Sequence, residues 1–288
     1  MKKLLILSGK GGTGKTTISA SLIKLAKAKA VADCDVDAPN LHIILNQTSS
    51  PQVFDFMGGD KASVTRNRCN GCGVCVEKCK FDAIKIKLGK AEISEFFCEG
   101  CGVCSLVCKN GAIVQNSDIA GERKLYTSSD DDIFSTATLK MGRGNSGKLV
   151  TDVKQAMLKN AKDCELSIID GSPGLGCPVI ASASGMDVIL VVAEPSESGI
   201  SDLKRLLKTL NSFGVTIAIC VNKFDTNTEK TTEIEDFCKG ENISFIGKIP
   251  YDKNAIIAVN QGLAVVDIDC KAGDEIKKIY EKITQIMA

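Results

Sequence analysis

The chain has 288 residues, 44% of them hydrophobic, which suits one large α/β domain plus a small one. Its formal net charge is +1, it has no Trp and only 5% aromatic residues. These values exclude the basic footprint and stacking platforms expected of a nucleic-acid binder, and the polybasic face of a membrane-surface protein. Fourteen cysteines stand out, eight of them in two clusters. The apolar run at the N-terminus, "MKKLLILSGKGG", is too short for a secretory leader, so metal ligation outranks disulfides and a cytoplasmic protein without stable membrane insertion is expected. Cys34, Cys164, Cys177, Cys220, Cys238 and Cys270 are scattered and read as small buried hydrophobes.

In chain order, "KKLLILS" (Lys2–Ser8) predicts a buried strand ending in a glycine-rich loop. "KTTISASLIKLAKAKA" (Lys15–Ala30) predicts a helix from its spacing and composition, and "VADCD" (Val31–Asp35) a second strand. The three make a right-handed parallel βαβ unit. From about Lys61 to Asn116 the apolar periodicity fades and cysteines take over. This predicts an insert, 61–116, inside a domain made of 1–60 and 117–288. Residues Ser117 to Lys148, containing "SSDDDIFSTATL" and "GRGNSGK", read as a poorly patterned connection. Alternation then resumes: "LVTDVKQAMLKNA" as a helix, "CELSIID" and "DVILVVAEP" as strands, "GISDLKRLLKTLNSFG" as a helix stopped at Gly214, and "VTIAICVNK" as a strand. "ENISFIGKIP", "AVVDI" and a last helix, Asp274–Ala288, complete the pattern. Strands rich in Val and Ile without polar alternation are buried on both faces. The fold class is therefore α/β, a doubly wound, mostly parallel sheet. The stripe Ile276, Ile279, Tyr280, Ile283, Ile286 and Met287 of the last helix is expected to pack onto that sheet.

Gly9 to Thr16 fits G-x-x-x-x-G-K-[ST] with a strand before it and a helix after it. Gly11, Gly12, Thr13 and Gly14 would turn backbone N–H groups toward phosphate oxygens, and the helix N-terminus at Thr16 and Thr17 adds positive potential. Lys15 would neutralise the β- and γ-phosphates of ATP, and Thr16 would offer its hydroxyl to Mg²⁺. Gly142 to Lys148 repeats the spacing, but Leu149 stands where the Mg²⁺-binding hydroxyl belongs and no clear buried strand leads in. It reads as a surface loop, with Lys148 a remote candidate for the nucleotide or the insert.

The form "GKGGTGKTT", with Lys10 directly after Gly9, resembles the deviant phosphate loop of the MinD/ParA/nitrogenase-iron-protein superfamily of ATPases. The resemblance implies slow, regulated hydrolysis of ATP to ADP by a dimer, with self or with a paralogue, in which Lys10 reaches the partner's nucleotide. "DCDVDAPNL" resembles the first switch, implying that Asp35 positions the attacking water and Asp33 supports the metal region; a solvated turn is the alternative, above all for Asp37. "IIDGSPGLG" resembles the second switch, implying Mg²⁺ at Asp170 through water and a γ-phosphate sensor at the Gly174 N–H. "VNK" and "IPYD" resemble the adenine contacts, implying Asn222 and Pro250.

Cys69-x2-Cys72-x2-Cys75-x3-Cys79 recurs 29 residues later as Cys98-x2-Cys101-x2-Cys104-x3-Cys108, with matching flanks. Soft thiolates at these spacings suit iron–sulfur clusters; paired zinc sites are the rival and normally use separated CxxC knuckles. The duplicated run resembles a bacterial two-cluster ferredoxin, in which the fourth cysteine crosses to the other cluster. That implies two [4Fe–4S] clusters, one on Cys69, Cys72, Cys75 and Cys108, the other on Cys98, Cys101, Cys104 and Cys79. The family's Pro after the fourth cysteine is replaced by Lys80 and Lys109. Ammonium groups there either favour the reduced clusters or point into water. Cys177, just after the second switch, is a candidate for a bridging cluster between subunits, with buried packing as the alternative. Together the resemblances imply coupling of nucleotide state to electron transfer with a redox partner protein. The alternatives are an iron–sulfur carrier and a positioning ATPase with structural clusters.

Overall fold

The computed structural model describes every residue except Asn46, Thr48, Ser129, Asp130 and Asp163. In chain order the elements are β1 (Lys2–Leu7), α1 (Lys15–Ala26), β2 (Ala30–Asp33), α2 (Leu41–Ile44), β3 (Gln52–Val64), α3 (Val74–Lys78), β4 (Ile84–Lys87) and β5 (Lys90–Ile93). Then come α4 (Val103–Val107), β6 (Ile113–Thr127), β7 (Ile133–Leu139), α5 (Ser146–Asn160), β8 (Leu166–Asp170), α6 (Cys177–Ala183) and β9 (Val188–Ala193). The chain ends with α7 (Glu197–Leu210), β10 (Thr216–Asn222), α8 (Thr228–Gly240), β11 (Ser244–Ile249), α9 (Lys253–Asn260) and α10 (Lys271–Met287).

The chain divides into two compact units. The larger holds Met1–Val53, Arg123–Thr138 and Ser146–Ala288. Its strands run β11-β10-β9-β1-β8-β2-β7, with parallel pairing throughout that series. β3 and β6 each span the boundary between the two units along the chain. β1 and β9 lie at the centre and are buried on both faces, which is why they read as unbroken apolar runs. The α10 stripe is buried as expected: Ile276, Ile279, Ile283 and Met287 join Ile18 and Leu22 of α1 in one core, with Tyr280 and Ile286 packed at its edge. The C-terminal ends of β1, β2, β8 and β10 deliver the phosphate loop, Asp33, Asp170 and Asn222, where an open parallel sheet places its ligand.

Three readings are corrected here. The connection from Ser117 to Lys148 contains most of β6 and all of β7; Ser129 and Asp130 within it lie outside the described residues. β7 pairs with β2 from Ala30↔Ile133 to Asp33↔Thr136. Its buried Ser135 and Thr136 break the apolar run that marks a central strand, so hydropathy missed it. A buried strand therefore does lead into the second G-x4-G-K loop. "AVVDI" is a single 3₁₀ turn over Val265–Asp267, closed by Ala264 N–H donating to Asp267 Oδ2 at 3.1 Å. α8 and α9 went unread because their apolar periodicity is weak; Asn227 and Asp252 cap them through Lys230 N–H and Asn254 N–H.

The smaller unit comprises Phe54–Glu122 and Leu139–Asn145, wider than the predicted 61–116. It holds the antiparallel β4–β5 hairpin and two five-residue helices, α3 and α4. Its core is Ala62, Cys75, Ala83, Ile84, Ala91, Cys98, Cys104 and Ile113, so three of eight buried positions are thiols. A core this small stabilises little on its own and calls for a covalent or metal staple. Among the described residues no helix is long and apolar enough to cross a membrane.

Candidate functional sites

The phosphate loop leaves β1 and closes onto α1 through Gly12 and Gly14, both left-handed at φ 79° and 91°. Side chains are strained there. A Cβ at Gly14 would also collide with Asn222 Nδ2, which donates to the Thr13 carbonyl at 2.7 Å. A Cβ at Gly11 or Gly12 would meet nothing, so the loop borders open space. Thr13 is buried with its hydroxyl unpartnered among the described residues. Such an orphaned group fits a ligand oxygen.

Beside this cradle lies a buried charge cluster. Lys15 Nζ sits 2.8 Å from Asp170 Oδ1, with Asp170 fully buried. Asp170 also accepts from Thr16 Oγ1 at 2.8 Å and from Ser19 Oγ at 2.6 Å. Ser19 stands one turn after Lys15 on α1, a spacing that puts both on one face. Asp33 is buried nearby; burial, then the Asp170 charge, pushes its carboxyl well above the usual range. Its oxygens accept from Asp35 N–H at 3.0 Å and Leu41 N–H at 3.1 Å. Asp35 is partly buried, and burial raises it too. Asp37 is exposed. Asp33 and Asp35 feel the charges of both Lys15 and Asp170, and Asp170 with the Thr16 hydroxyl forms an oxygen pair of the kind that suits Mg²⁺.

Two predicted residues are engaged elsewhere. Lys10 Nζ contacts Glu194 Oε2 of its own chain at 2.8 Å, and donates to Ser196 and Ser198 Oγ at 3.1 and 3.0 Å. Gly174 lies at φ 98°, and its N–H donates to the Ser8 carbonyl at 3.0 Å, so it does not point free toward a phosphate. Next to the loop is a largely apolar cavity of about 290 Å³. It is lined by the predicted Gly12, Gly14, Thr17, Asn222 and Pro250, by Tyr251 of the expected "IPYD" segment, and by Ile256 and Val259, which sequence reading missed. Lys223, the last residue of the expected "VNK" motif, donates to the Gly12 carbonyl at 3.2 Å. Lys148 is exposed and does not line this cavity, and Cys177 is exposed at the start of α6 rather than packed.

In the smaller unit, Cys69, Cys72, Cys75 and Cys108 line one small cavity, while Cys79, Cys98, Cys101 and Cys104 line a second. Each run lends its fourth cysteine to the other. Gly73 and Gly102, at φ 80° and 79°, turn the loops into α3 and α4. The Ala91, Ala62 and Ala112 N–H groups point at the sulfurs of Cys69, Cys98 and Cys108 at 3.4, 3.5 and 3.3 Å. The Ala91 and Gly71 N–H groups hold the Cys69 thiol below its usual value, whereas burial raises Cys75 and Cys104. Lys90 Nζ donates to the Cys69 carbonyl and Lys61 Nζ to the Cys98 carbonyl. Lys61-Ala62 and Lys90-Ala91 are also 29 residues apart, a part of the repeat that the cysteine spacing alone did not reveal. Among the described residues no group of three or more His, Cys, Asp or Glu converges on a single-ion centre. Lys80 and Lys109 are exposed.

A model of the CobQ/CobB/MinD/ParA nucleotide-binding domain matches residues 4–265. The chain belongs to the CobQ/CobB/MinD/ParA family. It is similar to an uncharacterized protein of Methanocaldococcus jannaschii, at 32% identity over 292 residues, covering 99% of this chain and 97% of that one. An iron–sulfur cluster carrier protein of the same organism is 24% identical over 304 residues, covering 98% and 84%. Among solved structures, septum site-determining protein MinD complexed with Mg-ADP from Pyrococcus horikoshii OT3 shares the fold. Its TM-score is 0.60 at 17% identity, covering 100% of this chain and 97% of that one. Family membership makes this a nucleotide-binding domain with a MinD/ParA-type P-loop ATPase fold.

Proposed function

We propose that this member of the CobQ/CobB/MinD/ParA family hydrolyses ATP and couples its nucleotide state to one-electron transfer through two [4Fe–4S] clusters in a ferredoxin-like domain. The observation that carries the reading is the exchange of fourth cysteines: eight thiols fall into two sets of four, each completed by the other run. The donor set fits. Soft thiolates suit iron–sulfur clusters, N–H groups aimed at sulfur stabilise a cluster's negative charge, and the small core needs a staple.

At the nucleotide site, Lys15 would bind the β- and γ-phosphates, Thr16 and Asp170 would hold Mg²⁺, and the cavity at Asn222 and Pro250 would take adenine. Bound Mg²⁺ supplies charge neutralisation on the transferring phosphoryl group. Asp35 would orient the attacking water, and its raised affinity for protons suits it to accept one. Two rearrangements follow from the geometry. Lys10 must leave Glu194 to reach a partner subunit's nucleotide, and Gly174 must release the Ser8 carbonyl to sense the γ-phosphate. The dimer would form with a second copy or with a paralogue, and the electron would go to a redox partner protein.

The test is anaerobic reconstitution followed by iron and sulfide analysis, then ATPase assay with the clusters oxidised and reduced. Eight irons per chain and redox-dependent turnover support the reading. Identical rates, with electron paramagnetic resonance (EPR) spectra and potentials unchanged by an ATP analogue, overturn the coupling. Similarity to an iron–sulfur cluster carrier favours a second reading, ATP-dependent delivery of a cluster. Cys75, Cys98 and Cys104 are buried, which weighs against labile clusters; transfer of iron to an apo-acceptor would reverse that judgement.

A further inference from the structure

The two cysteine sites share one backbone plan but differ in side chains at matching positions of the 29-residue repeat. Asn70 lines the cavity of Cys69, Cys72, Cys75 and Cys108, and its Oδ1 accepts from the Cys72 N–H at 3.2 Å. Its counterpart Glu99 lines the other cavity. Asn110 lines the first and its counterpart Phe81 the second. Arg66 and Arg68, exposed just before Cys69, are matched by Glu95 and Phe97 before Cys98. One exchange is offset: Arg143 lies 3.3 Å from Glu95 and 2.7 Å from Asp118, and so neutralises part of that acidity. Lys61 and Lys90 are equivalent and do not discriminate.

Ile86, which lines the first cavity where the repeat has Gln115, works the other way, but the exchanges at Asn70, Asn110, Arg66 and Arg68 all act in one direction. A four-thiolate cluster is an anion that gains another negative charge on reduction. Nearby cations and amide dipoles favour that step, whereas a carboxylate or an apolar aromatic wall opposes it. We propose that the two sites are unequal electron acceptors, and that an electron entering this unit settles at the Cys69, Cys72, Cys75 and Cys108 site while the Cys79, Cys98, Cys101 and Cys104 site is the harder to reduce. Each step moves one electron from a low-potential one-electron donor onto one cluster, with no bond made or broken. The inference rests on the two-cluster reading above.

The experiment is an anaerobic potentiometric titration of the full reconstituted chain, followed by EPR, with dithionite as reductant. Mutual repulsion separates the two waves even for identical sites, so the variants decide. Asn70→Glu keeps an acceptor for the Cys72 N–H and is expected to lower the upper wave alone. Glu99→Asn is expected to raise the lower wave alone. Each shift should change the ratio of reduced populations about tenfold, equivalent to about 59 mV for one electron. Arg66→Gln with Arg68→Gln, both exposed, serves where Asn70→Glu fails to retain eight irons, and should also lower the upper wave. Unmoved waves, or Asn70→Glu displacing the lower wave, overturn the assignment while leaving two clusters in place. Fewer than eight irons, with no signal from two reduced clusters, overturns the two-cluster reading and this inference with it.

Discussion

The loops Gly9–Thr16 and Gly142–Leu149 have the same G-x4-G-K spacing, and each runs from a strand paired in parallel to β2 or β8 into a helix. Their difference lies in where the helix begins. α1 starts at Lys15, after a left-handed Gly14, so the preceding N–H groups stay outside the helix and curl around open space. α5 starts at Ser146, so Gly147 and Lys148 are already helical. The second loop cannot form the same nest. Position sixteen of the first loop is a hydroxyl on Asp170; the matching Leu149 is fully buried in the core. A phosphate loop therefore needs a late helix start and a polar residue after the lysine, and spacing alone does not guarantee either.

The most damaging break in that comparison is Lys15→Ala. Lys15 is the buried cation of the charge cluster, whereas Lys148 is exposed. Nucleotide affinity and hydrolysis should fall at least about 100-fold, as expected for loss of a phosphate-neutralising group. Isothermal titration with MgATP checks this; an affinity within threefold of the native chain would mean that the loop does not bind phosphate. Thr16→Leu copies the second loop into the first. It should remove Mg²⁺-dependent hydrolysis, by about 100-fold, while metal-free nucleotide binding falls much less. Equal losses with and without Mg²⁺ would place Thr16 outside the metal shell.

The reverse copy, Leu149→Thr, should create no nucleotide site and should destabilise the fold by about 2 kcal/mol, since it removes buried apolar volume and adds a hydroxyl. Denaturant unfolding measures the loss. α5 has its own buried cation, Lys154, which donates to the Ala181, Ser182 and Ser184 carbonyls at 2.7–2.8 Å. Burial pulls its pKa from 10.5 to about 8. Between those two values the unfolded chain keeps a proton that the folded chain has released. Stability contributed by this group therefore rises with pH from about 8 to 10.5. Lys154→Met should cost about 2 kcal/mol by stranding three carbonyls, abolish that rise, and leave nucleotide affinity unchanged. A flat difference between variant and native chain from pH 8 to 10.5 would refute the assignment.

These contrasts also show which features were legible in the sequence. The phosphate loop, Asp170 and the eight cysteines were legible because each motif is short and its chemistry fixes residue type and spacing. The central strands were legible because burial on both faces leaves unbroken apolar runs. β7 was hidden by buried Ser135 and Thr136, and β6 and β3 lack a clean alternation. Partners distant in sequence were not legible. Nothing in "GKGG" announces that Lys10 meets Glu194, or that Gly174 donates to Ser8, because those contacts depend on how strands order across the sheet. Lys61 was missed for a different reason: the 29-residue period extends back beyond the cysteines into a strand that hydropathy did not find.

The smallest expected effect comes from the residues after the first glycine of each loop, Lys10 and Arg143. Both are cations held by acidic side chains of their own chain. Arg143 is the more deeply held: its guanidinium is 11% exposed between Glu95 and Asp118, and Nη1 donates to the Glu95 carbonyl at 3.2 Å. Lys10 is 29% exposed and meets one carboxylate and two hydroxyls, a weaker set of partners for a group expected to change them. Arg143→Ala should therefore cost about 1 kcal/mol of stability, the scale of a partly exposed charged network, with no change in nucleotide affinity. Lys10→Ala should leave monomer stability within about 0.5 kcal/mol and lower hydrolysis only under conditions where the ATP-bound dimer forms. Unfolding curves and the concentration dependence of turnover separate the two. If Lys10→Ala destabilises the monomer as much as Arg143→Ala while hydrolysis keeps its dependence on protein concentration, the ion pair with Glu194 is a structural anchor like that of Arg143. Lys10 would then have no role across a dimer.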